Sequence, residues 1–384
     1  MREFLCFAVV VALHAPAFAA SKQETILYSG EVSRLPVGAR TAAMGDAAVS
    51  LPLDAPSAYW NPAAPSLMRK YQIWLEGASL YGGLSNQAVV AANVPLLQQI
   101  GVAVVYAPFY SGDIPLFDSL PEGTRSDGTS SASFHNVQNA LSLSVAKGFS
   151  FPLPRFGGLG GYPLPVDIGV GLGFKAVWQT IAPTSNVRMG MNINCDLGLL
   201  ARFGLDYDIV KKRVNREFTL GVSAKDVLPS KMIWINSPYH YEEPVYSSQY
   251  FGLSYIDKSG LLRSNWTVAI SMHRTFEEGL NSRSRNENDR RRVGYLATYH
   301  AGIEADILEM VGIRVGISDR MPELGAGVHY KNFSLDYAFK FDSIEFSPVR
   351  LSLAVTFYGQ VEALPPSRRR QRLHRAAQTR LVHC

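Results

Sequence analysis

Cysteine is scarce in this chain, with three in 384 residues. Cys6 lies in an apolar stretch at the start, Cys195 on the apolar phase of an alternating segment, and Cys384 is the last residue. No spacing among them suits a disulfide framework or a metal site. Charge is also sparse, at 18% against 47% hydrophobic residues. Yet no run is apolar enough for a membrane-spanning helix, which needs roughly 20 apolar residues in a row. The best stretch, residues 88–110, is broken by Asn93, Pro95, Gln98, Gln99 and Pro108. Catalytic signatures are missing too: there is no nucleophile elbow, no His-Glu-x-x-His and no cysteine cluster. Gly169-x-Gly171-x-Gly173 imitates a nucleotide fingerprint only if its strand is ignored. The eight histidines are scattered; His300 and Glu304 share one strand phase and read as part of a polar network rather than as metal ligands. These absences exclude helical spans and point away from an enzyme and from a bound cofactor.

The net charge of +5 is not spread over the chain. Residues 360–384 carry Arg368, Arg369, Arg370, Arg372, Arg375 and Arg380 against Glu362 alone, so the rest is balanced. The basic pI therefore describes a tail, and it is no argument for nucleic-acid binding.

What the sequence has in quantity is period-two alternation. In residues 166–178 the apolar set is Val166, Ile168, Val170, Leu172, Phe174, Ala176 and Trp178, facing Asp167, Gly169, Gly171, Gly173 and Lys175. Residues 332–341 set Phe333, Leu335, Tyr337, Phe339 and Phe341 against Asn332, Ser334, Asp336, Ala338 and Lys340; residues 350–357 repeat the pattern. One polar and one apolar face per strand is the mark of an antiparallel sheet. A soluble sandwich would alternate as well. Two features favour a transmembrane antiparallel β-barrel: strands of ten or more residues, and connections that alternate between long and tight. The count is about 14 strands, from near Tyr71 to near Tyr358. The long connections, 109–133, 227–244 and 275–292, belong outside; the tight ones, 257–260, 308–310 and 331–332, belong inside. Residues 151–165 are a long inner connection that departs from this rule.

The N-terminus reads as an export signal over residues 1–19, with Arg2, an apolar core from Phe4 to Leu13, and small residues at Ala17 and Ala19 before the cut. The organisation that follows is an N-terminal plug segment at 20–70, a barrel at 71–358, and a basic tail without periodicity at 359–384. The expected location is the bacterial outer membrane, with lipid as the surrounding partner.

The plug segment carries Gly38-Ala39-Arg40-Thr41-Ala42-Ala43-Met44-Gly45-Asp46-Ala47, then Asp54-Ala55-Pro56-Ser57-Ala58-Tyr59-Trp60-Asn61-Pro62-Ala63. Its small residues suit close packing on a barrel wall. Asn61 can bond local backbone while Pro62 fixes φ, which marks a rigid turn. Arg40 and Asp54 need partners if buried, and Asp167, Lys175, Arg202, Glu304, Asp306, Arg314 and Lys340 are lumen-phase charges that can supply them. The segment adjoins the first strand, so it should enter from the periplasmic mouth.

These two stretches resemble the N-terminal signature of PorV/PorQ-like outer-membrane proteins, a group related to FadL-type channels. Weaker resemblance continues in Asp196-Leu197-Gly198, in residues 220–226, and in Leu324-Gly325-Ala326-Gly327 leading to residues 335–339. Asp46 stands where a second glycine is common, and Ala64-Pro65 replaces the usual Gly-Leu. The resemblance implies a plug inside the barrel, with Gly38, Arg40, Met44, Gly45, Asp54, Asn61, Pro62 and Ala63 as its gating motif. It implies either uptake of hydrophobic small molecules such as fatty acids, or an accessory role toward exported proteins in type IX secretion; a structural surface protein is the third reading. In the connection 227–244, Trp234, Tyr239 and Tyr241 belong either to an interfacial girdle or to an entrance for apolar ligands.

Overall fold

The computed structural model describes residues 24–26, 31–116, 132–153, 164–182, 187–208, 213–236, 242–260, 264–280, 291–341 and 348–357. The export signal, the basic tail, Tyr239 and Tyr241 lie outside these residues. In chain order the strands are β1 (Glu24–Ile26), β2 (Tyr71–Leu80), β3 (Ser85–Pro95), β4 (Ile100–Leu116), β5 (Ala132–Leu153), β6 (Leu164–Ala182), β7 (Arg188–Asp208) and β8 (Arg213–Lys225). Then come β9 (Ser230–Ile235), β10 (Glu242–Val245), β11 (Ser248–Asp257), β12 (Asn265–Leu280), β13 (Arg291–Ile307), β14 (Val311–Ser318), β15 (Met321–Tyr330), β16 (Phe333–Lys340) and β17 (Val349–Phe357).

Fourteen of these strands form a closed antiparallel barrel. Neighbours in sequence pair with one another, β17 pairs back onto β2, and β8 pairs with β11 across the insertion that carries β9 and β10. Closure leaves no open edge, which is the condition for spanning lipid with strands. The remaining strands are accessory. β9 pairs with β10 and, through Met189↔Ile235, with β7. β1 forms a small separate unit with the end of β12, Glu24↔Leu280 to Ile26↔Glu278.

The alternation in the sequence sets the two faces of the wall. On β14 Val311, Ile313, Val315 and Ile317 face out, and Gly312, Arg314, Gly316 and Ser318 face in. On β17 Leu351, Leu353 and Phe357 are exposed while Arg350, Ser352, Ala354 and Thr356 are buried. Aromatics collect at both rims of the outer surface: Phe149, Phe151, Trp266, Tyr330, Phe333 and Phe357 at one, Tyr81, Tyr110 and Phe341 at the other. Apolar wall between aromatic girdles is the surface of a transmembrane barrel.

β4 and β8 run in the same direction as β2 and finish at the same end, from which the long connection to β11 leaves, and this end is therefore the outer mouth. The β4–β5 and β12–β13 connections are shorter than the alternation suggested, because these strands run on to residues 116, 132, 280 and 291, whereas 226–247 is longer than expected and carries β9 and β10. At the opposite end, β5 and β6 pair as far as Leu153↔Leu164, so the long inner connection shrinks to residues 154–163.

Candidate functional site

Residues 31–68 fill the lumen. They hold three short helical turns, Ala39–Ala42, Ser57–Trp60 and Ala64–Leu67, and nearly every side chain is buried. The segment joins β2 at the end opposite the outer mouth, and it does not stop there. Val32 packs with Leu80, Phe109, Met232 and Trp234 at the outer end, so the segment runs the length of the lumen.

Backbone contact with the wall is close enough to require glycine. A Cβ on Gly171 would lie 2.1 Å from the Pro62 carbonyl oxygen, and one on Gly316 would lie 2.1 Å from the Gly45 nitrogen. Similar contacts recur at Gly101, Gly198, Gly221 and Gly302, so the segment rests on bare backbone around much of the wall. The lumen-phase glycines of β6 are thus seats for this segment.

Each motif residue has a physical task. Gly38 adopts φ 103° and Gly45 φ 67°, conformations that a side chain would oppose. Asp46 follows at φ 60°; aspartate tolerates this left-handed region better than most residues. Met44 is fully buried with Ala47, Leu51, Ile256 and Ala269. Asn61 is the strongest anchor. Its Nδ2 donates to the carbonyls of Val49 (3.0 Å), Leu199 (3.1 Å) and Val222 (3.3 Å), and its Oδ1 accepts from the Ala63 N–H at 3.0 Å. It therefore closes its own turn and ties it to β7 and β8. Trp60 Nε1 donates to the Val37 carbonyl (2.8 Å), and Tyr59 Oη donates to Ser33 and Leu35 carbonyls (2.6 and 2.7 Å). Burial raises the Tyr59 phenol well above its ordinary pKa.

Arg40 reaches Glu304 at 2.7 Å, Asp54 at 3.4 Å and Asp306 at 3.7 Å. Glu304, wholly buried, is shared with Arg314 at 2.6 Å, and Arg314 continues to Asp336 at 2.7 Å. Asp54 also pairs with Lys70 at 3.1 Å. Burial opposes ionisation of Asp54, but Lys70 and Arg40 outweigh it and hold the carboxyl well below its usual range. Of the anticipated lumen charges, Glu304 and Asp306 meet Arg40 directly. Asp167 and Arg202 pair with each other at 2.9 Å, and Lys340 pairs with Glu323 at 3.0 Å. His300 stands apart from this network; it bonds the Gly45 carbonyl at 2.9 Å and stacks on His273 with centroids 3.9 Å apart.

Trp234 is not part of an outer girdle. Ile233 and Ile235 face outward, while Met232 and Trp234 point into the lumen beneath the β9–β10 hairpin. They join Val32, Ala78, Leu80, Phe109, Ala140 and Val177 in an apolar cluster at the outer mouth. Phe109 lies beside a short gap in the β3–β4 pairing, with the register unchanged on either side. Pairing of β3 with β4 passes from Gln87↔Phe109 to Val90↔Tyr106 with nothing between, where Pro108 has no N–H to give.

Sequence reasoning missed a second cluster. Lys175 pairs with Asp196 (3.2 Å) and Asp226 (2.7 Å), and Lys225 lies 3.7 Å above the Tyr59 ring. The signal was available in Asp196-Leu197-Gly198 and residues 220–226, which stood out as motifs without an assigned chemistry.

No protein-family model matches the chain, and no match appears among curated proteins. Among solved structures it is similar to a TodX monoaromatic hydrocarbon channel (deltaS2S3 mutant) at 11% identity, covering 83% of this chain and 98% of that one, TM-score 0.45. A Pseudomonas aeruginosa FadL homologue gives 11% identity over 85% and 99%, TM-score 0.41. The translocator domain of the autotransporter NalP from Neisseria meningitidis gives 12% over 75% and 87%, TM-score 0.32.

Proposed function

We propose that the protein is a plugged outer-membrane channel for hydrophobic small molecules. The observation that carries this reading is the apolar cluster at the outer mouth, built from wall, lumen segment and hairpin together. A general porin would present a polar, water-filled lumen there. Met232, Trp234 and Phe109 offer an apolar molecule a continuous apolar surface there. Apolar sites of this kind gain affinity from area removed from water, which suits a channel for compounds with few polar groups. The secretion-accessory role implied by the PorV/PorQ resemblance has no observation of its own among the described residues.

The test is uptake of a neutral aromatic hydrocarbon into proteoliposomes carrying the purified protein. Wild type should raise the uptake rate over empty vesicles, and Trp234→Ala should reduce that gain severalfold while barrel assembly is retained. Uptake equal to that of empty vesicles would overturn the reading.

A further inference from the structure

Two imidazoles sit where the lumen segment meets β12 and β13. His273 and His300 stack with ring centroids 3.9 Å apart and planes 25° from parallel. They are only 6% and 8% exposed. The segment touches this stack at two points. His300 Nδ1 donates to the Gly45 carbonyl at 2.9 Å, and the centroid of the Trp60 ring lies 5.6 Å from that of His273. Because Nδ1 carries the proton of neutral His300, Nε2 accepts from the Thr298 hydroxyl at 2.9 Å. His273 Nε2 meets the Ser271 hydroxyl at 3.0 Å, and Tyr250 packs edge-on against its ring with centroids 4.7 Å apart.

The surroundings suit neutral rings. Among the described residues the histidine ion pairs belong to His329, so neither ring of the stack has a carboxylate at ion-pair distance. The charged groups facing His300 are Asp46 of the segment, Asp319 after β14 and Lys340 on β16. Facing His273 is Lys225 on β8, with the Tyr250 phenol on β11 beside it. Lys340 is answered by Glu323 at 3.0 Å. Lys225 has ring faces instead, 5.0 Å from Tyr250 and 5.2 Å from Trp60. A proton on His273 would place an imidazolium near both Lys225 and the second ring, with no anion opposite it. Buried charges without partners are costly. We propose that the stack is an acid-sensitive latch: neutral rings hold Gly45 and Trp60 on the wall, and a proton taken up by the pair releases them. Release lets water reach both rings. The released form then binds protons that the seated form excludes, and falling pH shifts the equilibrium toward it. Histidine ordinarily changes charge between about pH 5 and 8. The latch concerns the segment alone and holds for whichever molecules the channel passes.

The experiment uses the full chain in planar bilayers at pH 7 and pH 5. Asp54 keeps its charge at both, because Lys70 and Arg40 hold its carboxyl low. Wild type should conduct severalfold more at pH 5. His273→Phe keeps a stacked ring that takes no proton, and it should conduct equally at the two values. His273→Gln is a second non-titrating variant should the first not fold. Amide exchange of residues 44–60, corrected for the intrinsic effect of pH, should quicken at pH 5 in wild type and not in these variants. His273→Lys carries a fixed charge and should conduct at pH 7 as wild type does at pH 5, with the barrel still shifting on boiling. Three results overturn the latch: unchanged wild-type conductance, raised conductance without faster exchange at 44–60, or an acid response that persists in a folded non-titrating variant. Hydrocarbon uptake by a protein without any acid response would overturn the latch and leave the channel reading intact.

Discussion

Single residues decide whether the lumen segment can sit on the wall. Gly316 is the sharpest case, since any Cβ there would collide with the backbone of Met44 and Gly45. Backbone cannot yield as a flexible side chain does, so overpacking of about 1–3 kcal/mol is expected from even a small side chain. Gly316→Val should leave a barrel that still shifts on boiling in a detergent gel, but with the segment displaced and bilayer conductance raised. Asp54 gives a prediction about pH. Its folded-state pKa is depressed, so its stabilisation is fully present above the unfolded value near 4 and disappears only as pH falls through the lower folded value. The loss caused by Asp54→Asn, about 2–3 kcal/mol for charged hydrogen bonds, should therefore be equal at pH 7 and pH 5. It should shrink only below about pH 4, as read from unfolding midpoints. A loss that already shrinks at pH 5 would mean that Lys70 and Arg40 do not govern this carboxyl.

At the scale of elements, legibility followed periodicity. The strands could be read because lipid on one side and a filled lumen on the other force strict alternation, and a one-residue slip would expose every polar side chain to lipid. Leu353, mid-strand in β17 and outward-facing, illustrates this. Leu353→Arg should destabilise the barrel by about 2–4 kcal/mol, the depth-dependent cost of a lipid-facing charge, measured by folding into vesicles. Connections were less legible, because strands such as β4 and β5 run on through residues 109–116 and 132–139, where the sequence does not alternate cleanly. The β9–β10 hairpin shows the limit. Met232-Ile233-Trp234-Ile235 is apolar at every position, so no pattern could say which side faced inward; the lumen contacts of Met232 and Trp234 follow from packing over Gly190. The lumen segment was legible as a motif for another reason. Its small residues and Asn61-Pro62 turn lack any strand period. Its charge partners came out only in part, since lumen phase identifies which residues face inward but not which ones meet.

For the whole molecule, the segment and the barrel specify each other. The wall alone would enclose a ring of glycines and buried charges: Glu304 and Asp306 on β13, Arg314 on β14 and Asp336 on β16. Arg40 supplies a cation to that group, Asn61 caps wall carbonyls on two strands, and the wall glycines accept the segment's backbone. Removing residues 38–63 would take all of this away at once. The barrel should nevertheless assemble, because its strand pairing closes through β17 with β2 and β8 with β11 without using any residue of the segment. Water would then enter and solvate Glu304 and Asp306, so the charges left behind need not remain buried and unpaired, the situation that makes a broken buried pair so costly. The deletion should therefore give a heat-modifiable, folded barrel with much larger single-channel conductance in planar bilayers. Replacing Asn61 and Pro62 with alanines should raise conductance less, since it loosens one turn and leaves Arg40 and the glycine seats in place. A folded deletion variant with wild-type conductance would mean that something other than residues 38–63 closes the lumen.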